Sequence, residues 1–334
     1  MMRSTLAILL GVIVLHTADA AAQAPNTDVY LAPIERIGDS IVVGTPVNVT
    51  RRPGYDNQPS FTLDSRSILY VAQADGQTDI WRYDIALRRS RRLTRTPESE
   101  YSPTPIPGER RFSAVRVERD STQRLWSFNM AGTDARLLLR DLKPVGYHGW
   151  LDSRRLVAYV LGTPSTLHLI NRDGSGDTII ARDVGRAIQP LPQGSNALFT
   201  FTQRDSAGRH RIFVYRGATV TTRYGRTVVT LRRDGVDAMA SNTGITVDSA
   251  VKSREPPYEL VASPADNEFH TRTPDNVLVS ASASKLIRWN ATLGAASAWL
   301  PVADLGQYGL RNVSRLAFSP DGNWLAFVAE PVEP

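Results

Sequence analysis

Apolar and polar positions alternate through most of this chain in short runs separated by turn residues. The clearest case is Gln58 to Thr94, QPSFTLDSRSILYVAQADGQTDIWRYDIALRRSRRLT. A polar turn precedes an alternating strand, a Gly-containing turn follows, and a second strand, Ile80 to Ile85, leads to a third. Similar text returns with a period of about 40 residues, the signature of a propeller in which each repeat is one small sheet. Further copies begin near Pro103, His148 and Gln189, and a late one begins at Glu268. No long amphipathic helix is needed anywhere.

The two ends of the chain look like complementary halves of one repeat. Asp28 to Thr50 reads as the second half alone, while Phe318 to Val328 matches Phe61 to Val71 position for position. Joined, they predict one blade shared by the two termini, which closes the ring and removes its exposed edges. The expected fold is therefore an all-β propeller of four-stranded blades. The gap from Pro190 to Phe269 is nearly twice the usual spacing. It predicts six blades with an irregular insertion or degenerate blade at about 216–265, with seven blades as the alternative.

Residues 1–24 stand apart from this pattern. Arg3 is followed by the apolar run Leu6 to Leu15, broken only by Gly11. Ala18-Asp19-Ala20 and Ala22-Gln23-Ala24 then offer small-residue cleavage sites. This is the layout of a secretory signal peptide, with a retained anchor as the alternative. The expected domain plan is a leader at 1–24 and a single propeller at 25–334. Export places the protein in a bacterial periplasm, where it could associate with a membrane complex. The chain has no cysteine, which excludes disulfides, thiolate catalysis and Cys-ligated metal sites. Packing and ring closure must hold it together.

The net charge is +6 and the excess is almost all arginine. A modest positive field favours acidic partners or an anionic membrane face. Without a basic helix or an aromatic–basic recognition motif, nucleic acid is not an expected partner. The densest basic run, Arg88, Arg89, Arg91 and Arg92, is expected on a solvated outer turn and is a candidate interaction patch.

The phrase Phe318-Ser319-Pro320-Asp321-Gly322-Asn323-Trp324-Leu325-Ala326-Phe327, with Asp79 to Asp84 and Leu93-Thr94, resembles the repeat of TolB-like β-propellers. In that repeat an F-S-P-D-G turn precedes an apolar strand, a short D-x-I-W strand and an L-T strand. The resemblance spans most of residues 28–330 and concerns the propeller domain only. The blade at 58–95 is a good copy, and those at 101–141 and 187–215 are poor ones. The resemblance implies architecture more than activity.

Candidate chemistry is sparse. Similar propellers precede the catalytic domain of prolyl oligopeptidases, but this chain has no G-x-S-x-G elbow. No H-E-x-x-H occurs, and the histidines are widely spaced. Asp64, Asp152, Asp275 and Asp321 recur at one turn per blade. They are expected to accept backbone N–H bonds rather than to form a catalytic pair. Trp81, Trp126 and Trp289 recur in the third strand and are expected between blades. His148, Trp150, Phe269 and His270 belong to predicted innermost strands and are candidate contacts at the channel mouth. No catalytic residue, metal ligand or cofactor site is nominated. The expected function is a non-catalytic periplasmic propeller that binds another periplasmic or membrane-associated protein, with peripheral contact to the membrane as a further expectation. The alternatives are a lyase or glycan hydrolase acting at the channel mouth, and a module binding a sugar or small anion.

Overall fold

The computed structural model describes residues 25–191, 198–216, 219–223, 226–233, 236–240, 257–264, 267–289 and 299–331. Six antiparallel sheets form the β-propeller. Blade 1 consists of Asp56–Phe61, Ser67–Ala74, Gln77–Asp84 and Arg89–Arg92. Blade 2 runs from Ser99–Pro105 to Arg136–Leu137, and blade 3 from Val145–Trp150 to Thr178–Arg182. Blade 4 contains Val184–Pro190, Phe199–Arg204, His210–Tyr215 and Tyr258–Ala262. Blade 5 runs from His270–Arg272 to Trp299–Asp304. Between the last two strands of blade 4, Thr219–Arg223, Arg226–Arg233 and Val236–Ala240 make a separate three-stranded sheet. The double spacing in the sequence is thus an insertion within a blade, and the ring has six blades.

Blade 6 joins the ends of the chain. Its strand order is Ser40–Val43, Asp28–Ile37, Trp324–Pro331, Leu310–Phe318 from outside to inside. The junction pairs Val29 with Val328, Tyr30 with Phe327 and Leu31 with Ala326. The rings of Tyr30 and Phe327 stack at 5.6 Å. The innermost strand of each blade packs against that of the next, from blade 1 through blade 6 and back.

The second strands carry most of the core because both their faces are covered. Leu325 and Phe327 pack towards blade 5 with Val279, Ala281 and Leu286. The intervening Ala326 and Val328 pack towards blade 1 with Ile68, Tyr70 and Ala72. Leu69 and Val71, on the opposite face of that blade 1 strand, meet Phe112, Ala114 and Phe128 of blade 2. The two-residue period of a strand therefore serves a different neighbour on each face. This explains why these strands read as continuous apolar runs rather than as strict alternation. Trp81 and Trp126 pack against the same inter-blade clusters, as their recurrence predicts.

Local turn chemistry sets the hairpins. Asp75 and Gly76 both have positive φ, 56° and 82°, as a two-residue type I′ turn requires. Asp64 accepts the Thr62 hydroxyl at 2.6 Å and the Arg66 N–H at 3.1 Å. Asp321 repeats this with the Ser319 hydroxyl and the Asn323 N–H. Asp152 accepts the N–H groups of Arg154 and Arg155, both at 2.8 Å. Hydrogen bonds to the charged form hold Asp64, with the Thr62 hydroxyl as largest cause, below the usual carboxylate range. Asp275 differs: its carboxylate pairs with Arg36 of blade 6 at 2.5 Å, so that aspartate ties two blades instead of fixing its own turn.

Candidate binding sites

Two features stand out, one on the propeller axis and one at the seam between blades 6 and 1. The axis is lined by the innermost strands, and in five of the six blades these strands break register. Ladder register breaks between Asn57 and Ser60, between Tyr101 and Thr104, and between Ser314 and Ala317. At each of these breaks one residue is left-handed: Gln58, Ser102 and Arg315, with φ of 55°, 54° and 52°. A bulge of this kind re-aims the side chain it carries, and at Arg315 it carries a guanidinium on the axis-lining strand.

Arg315 and Arg186 make a collar with two aromatic rings. The Arg315 guanidinium carbon lies 3.9 Å from the centre of the Phe269 ring and 5.0 Å from that of Tyr147. Arg315 Nη2 donates to the Tyr147 hydroxyl at 3.0 Å. Arg186 lies 5.2 Å from the Phe269 ring centre. Its charge is matched by the buried carboxylate of Glu268, which accepts both the Arg186 backbone N–H at 2.8 Å and its side chain at 2.5 Å. His210 approaches the same carboxylate at 3.6 Å. On one side of the collar is a cavity of about 390 Å³, and on the other is one of about 660 Å³. Arg186, Phe269 and Arg315 line both.

The electrostatics of the collar are positive. Burial pushes the Tyr147 hydroxyl towards a higher pKa, but the charges of Arg315 and Arg186 outweigh it and leave the group below its usual value. Tyr55, on the 660 Å³ side, is pushed up to about 12 by burial, which the arginines only partly offset. Burial also raises the Glu268 carboxyl, yet Arg186 and its hydrogen bonds bring it below the usual range. Glu268 therefore stays ionised and neutralises Arg186. Among the described residues, Arg315 has no carboxylate partner.

His148, Trp150, Phe269 and His270 all border the 390 Å³ cavity. The structure also commits three of them to contacts between blades. Ser113 of blade 2 meets His148 Nε2 at 2.6 Å and accepts the Trp150 indole N–H at 2.8 Å. Because the Ser113 hydroxyl donates to the Thr104 carbonyl, it accepts from His148, which fixes the Nε2–H tautomer. His270 Nε2 meets the Thr200 hydroxyl of blade 4 at 2.8 Å. Burial drives both imidazoles down to about 3, so both are neutral. Arg186, Arg315 and Tyr147 were not nominated by sequence pattern. Aligning the inner strands on the residues that pair with the start of the second strand, Trp150, Arg272 and Phe318, puts Tyr147, Phe269 and Arg315 at one position, three residues earlier; Arg186 is not found this way.

The seam holds a groove of about 790 Å³. Blade 6 contributes Leu31, Pro33, Val47 and Trp324, and blade 1 contributes Tyr83, Ile85 and Leu87. Leu87 is 74 % exposed and Val47 43 %. Arg66, Arg88 and Asp84 border the groove, and Asp84 is paired with Arg82 at 3.8 Å. Tyr83 is raised by its burial, and the nearby positive charges of Arg88 and Arg51 oppose that rise. In the basic run, Arg88 is thus at the groove, while Arg89 to Arg92 form the outermost strand of blade 1. Arg89 and Arg91 are exposed. Arg92 is 15 % exposed and is held by Asp79 at 2.5 Å and Asp75 at 2.9 Å.

The chain matches no protein-family model and no curated protein sequence. Solved structures do resemble it. A putative TolB from Agrobacterium tumefaciens is 14 % identical with a TM-score of 0.54, covering 92 % of this chain and 99 % of that one. TolB from Acinetobacter baumannii is 9 % identical with a TM-score of 0.51, covering 90 % of this chain and 63 % of that one, so this chain spans under two thirds of that protein. A gluconolactonase from Xanthomonas campestris is 11 % identical with a TM-score of 0.53, covering 93 % of this chain and 99 % of that one. The fold is thus that of TolB-like propellers, and it is shared by a gluconolactonase, so the fold alone does not decide activity.

Proposed function

We propose that this chain is an exported, non-catalytic propeller that docks a segment of another cell-envelope protein in the seam groove. The observation that carries this proposal is the groove itself: an apolar floor with Leu87 74 % exposed, bordered by Arg66 and Arg88. An exposed apolar patch with a polar rim is a usual mark of a protein-binding surface. The partner that fits is an acidic segment with an apolar anchor. Its anchor covers Leu87 and Val47, and its carboxylates face Arg88 together with the exposed Arg89 and Arg91 of the neighbouring strand. The leader-like residues 1–24 support export, and the TolB-like fold supports a rigid platform in the envelope.

The test is crosslinking and pull-down from the native envelope, with wild type and a Leu87→Asp/Arg88→Glu double variant. Leu87 is largely exposed, so the double variant should unfold within about 0.5 kcal/mol of wild type. It should nevertheless lose at least tenfold of the captured partner. Crosslinks that map away from the groove, or equal capture by the double variant, would sink the proposal.

A further inference from the structure

The collar on the axis poses a problem that the seam groove does not address. A guanidinium withdrawn from bulk water is stable when a counter-charge or a full set of acceptors replaces its hydration. Arg186 has that counter-charge in Glu268. Arg315 has two aromatic faces and one tyrosine hydroxyl. Stacking on aromatic faces replaces part of its solvation. It leaves most of the donor fork without an anionic acceptor. Counting Arg186, Arg315 and Glu268, with His148 and His270 neutral, the collar keeps one net positive charge.

The geometry adds two observations. Arg315 is placed by a left-handed bulge, a conformation that is unfavourable for a non-glycine residue and tends to persist where the side chain's position matters. The same arginine borders both axial cavities, so its free donors are reachable from either end. Tyr147 is bonded to Arg315, and its hydroxyl proton remains available as a second donor.

From this we infer that the collar is a binding site for a small oxyanion, held by the Arg315 guanidinium with Tyr147 and centred between the two axial cavities. A planar guanidinium presents parallel N–H donors that fit a carboxylate or a phosphate equally well, so the shared chemistry is that of an oxyanion. This site lies on the axis, lined by inner strands, whereas the docking groove lies at the seam. Either can fail without the other.

The experiment is calorimetric titration of the full chain with inorganic phosphate and, separately, with succinate, at constant ionic strength maintained with chloride. Saturable binding of at least one oxyanion is expected. Phosphate alone would assign a tetrahedral ligand, succinate alone a carboxylate, and both a general oxyanion site. Arg315→Gln should weaken binding at least tenfold. Arg315→Lys should retain part of it, because an ammonium keeps the charge but not the fork. Tyr147→Phe keeps the cation and should weaken binding severalfold, which protects the test if Arg315→Gln folds poorly. Arg119, with its side chain 82 % exposed, is the control: Arg119→Gln should bind as wild type. No saturable binding of either ion, undiminished binding in both Arg315→Gln and Tyr147→Phe, or equal loss in Arg119→Gln would overturn the site.

Discussion

The second strands of the blades and the innermost strands lie side by side in the same sheets, yet they are built by opposite rules. Ser67–Ala74 and Trp324–Pro331 are regular, apolar on both faces and fully paired. Asp56–Phe61, Ser99–Pro105 and Leu310–Phe318 break register, adopt left-handed residues and carry Asp56, Gln58, Ser102 and Arg315 towards their neighbours or the axis. Close packing between blades tolerates little change in volume. The axis has one unpacked side, so its residues can vary in chemistry at small cost to the ring. Stability is therefore concentrated one strand away from the region best suited to recognise a ligand.

The largest effect should come from attacking the second-strand layer where the ring closes. Phe327 is fully buried, stacks on Tyr30 and shares a cluster with blade 5. Phe327→Ala should lower stability by about 3–5 kcal/mol, read as a fall in the urea midpoint. A loss below about 1 kcal/mol would mean that the layer does not hold the ring, and the comparison would break.

A smaller effect is expected from an ion pair at the same depth. Asp79 has a fully buried side chain, and Arg92 is its cation. Arg92→Ala leaves a buried carboxylate uncompensated and should cost about 2–4 kcal/mol. Arg89→Ala, on the same outer strand but exposed, should stay within about 0.5 kcal/mol. Equal urea midpoints for the two variants would refute the distinction between framework and surface arginines.

The third test concerns the histidines at the border between the layers. Both imidazoles have folded-state values near 3, well below the ordinary 6.5. Between about pH 6.5 and 3 the unfolded chain takes up protons that the folded chain refuses. Stability contributed by neutral His148 and His270 is therefore present above 6.5 and is lost as the pH falls, at up to about 1.4 kcal/mol per pH unit per histidine. Asp56 opposes this. Burial raises its carboxyl to about 6 from an ordinary 3.8, so its contribution grows as the pH falls through that window. The informative quantity is the difference from wild type: His148→Gln should flatten the acid limb by up to one such slope. Parallel limbs would mean that His148 takes up its proton equally in the folded and the unfolded chain, against the buried neutral imidazole.

Much of the architecture was legible from residue patterning, for specific reasons. The shared blade could be read because Phe318 to Val328 and Phe61 to Val71 have the same apolar spacing around the same kind of turn, and that spacing is what packs the blades. The turn aspartates were legible because an Asx-type turn is local. Asp275 was the exception because its partner, Arg36, comes from the opposite end of the chain. The collar was hidden for a different reason. A bulge changes where a side chain points without changing the hydrophobic pattern, so Arg315 looked like one arginine among many. The groove was equally invisible, since its walls come from Leu31 and Trp324 on one blade and Tyr83 and Leu87 on another.

The shared blade also has a consequence in time. Asp28–Ile37 is synthesised long before its partner Trp324–Pro331. Pairings between sequence-distant strands form slowly. Until the final strand arrives, the early strand has an unpaired edge and the five other blades remain an open arc. Synthesis from the N-terminus therefore cannot yield the closed ring before Trp324–Pro331 is made. A product cut short before Trp324 would lack the latch and leave the edge of Asp28–Ile37 bare. The ring therefore closes only once Trp324–Pro331 has been made and can reach Asp28–Ile37.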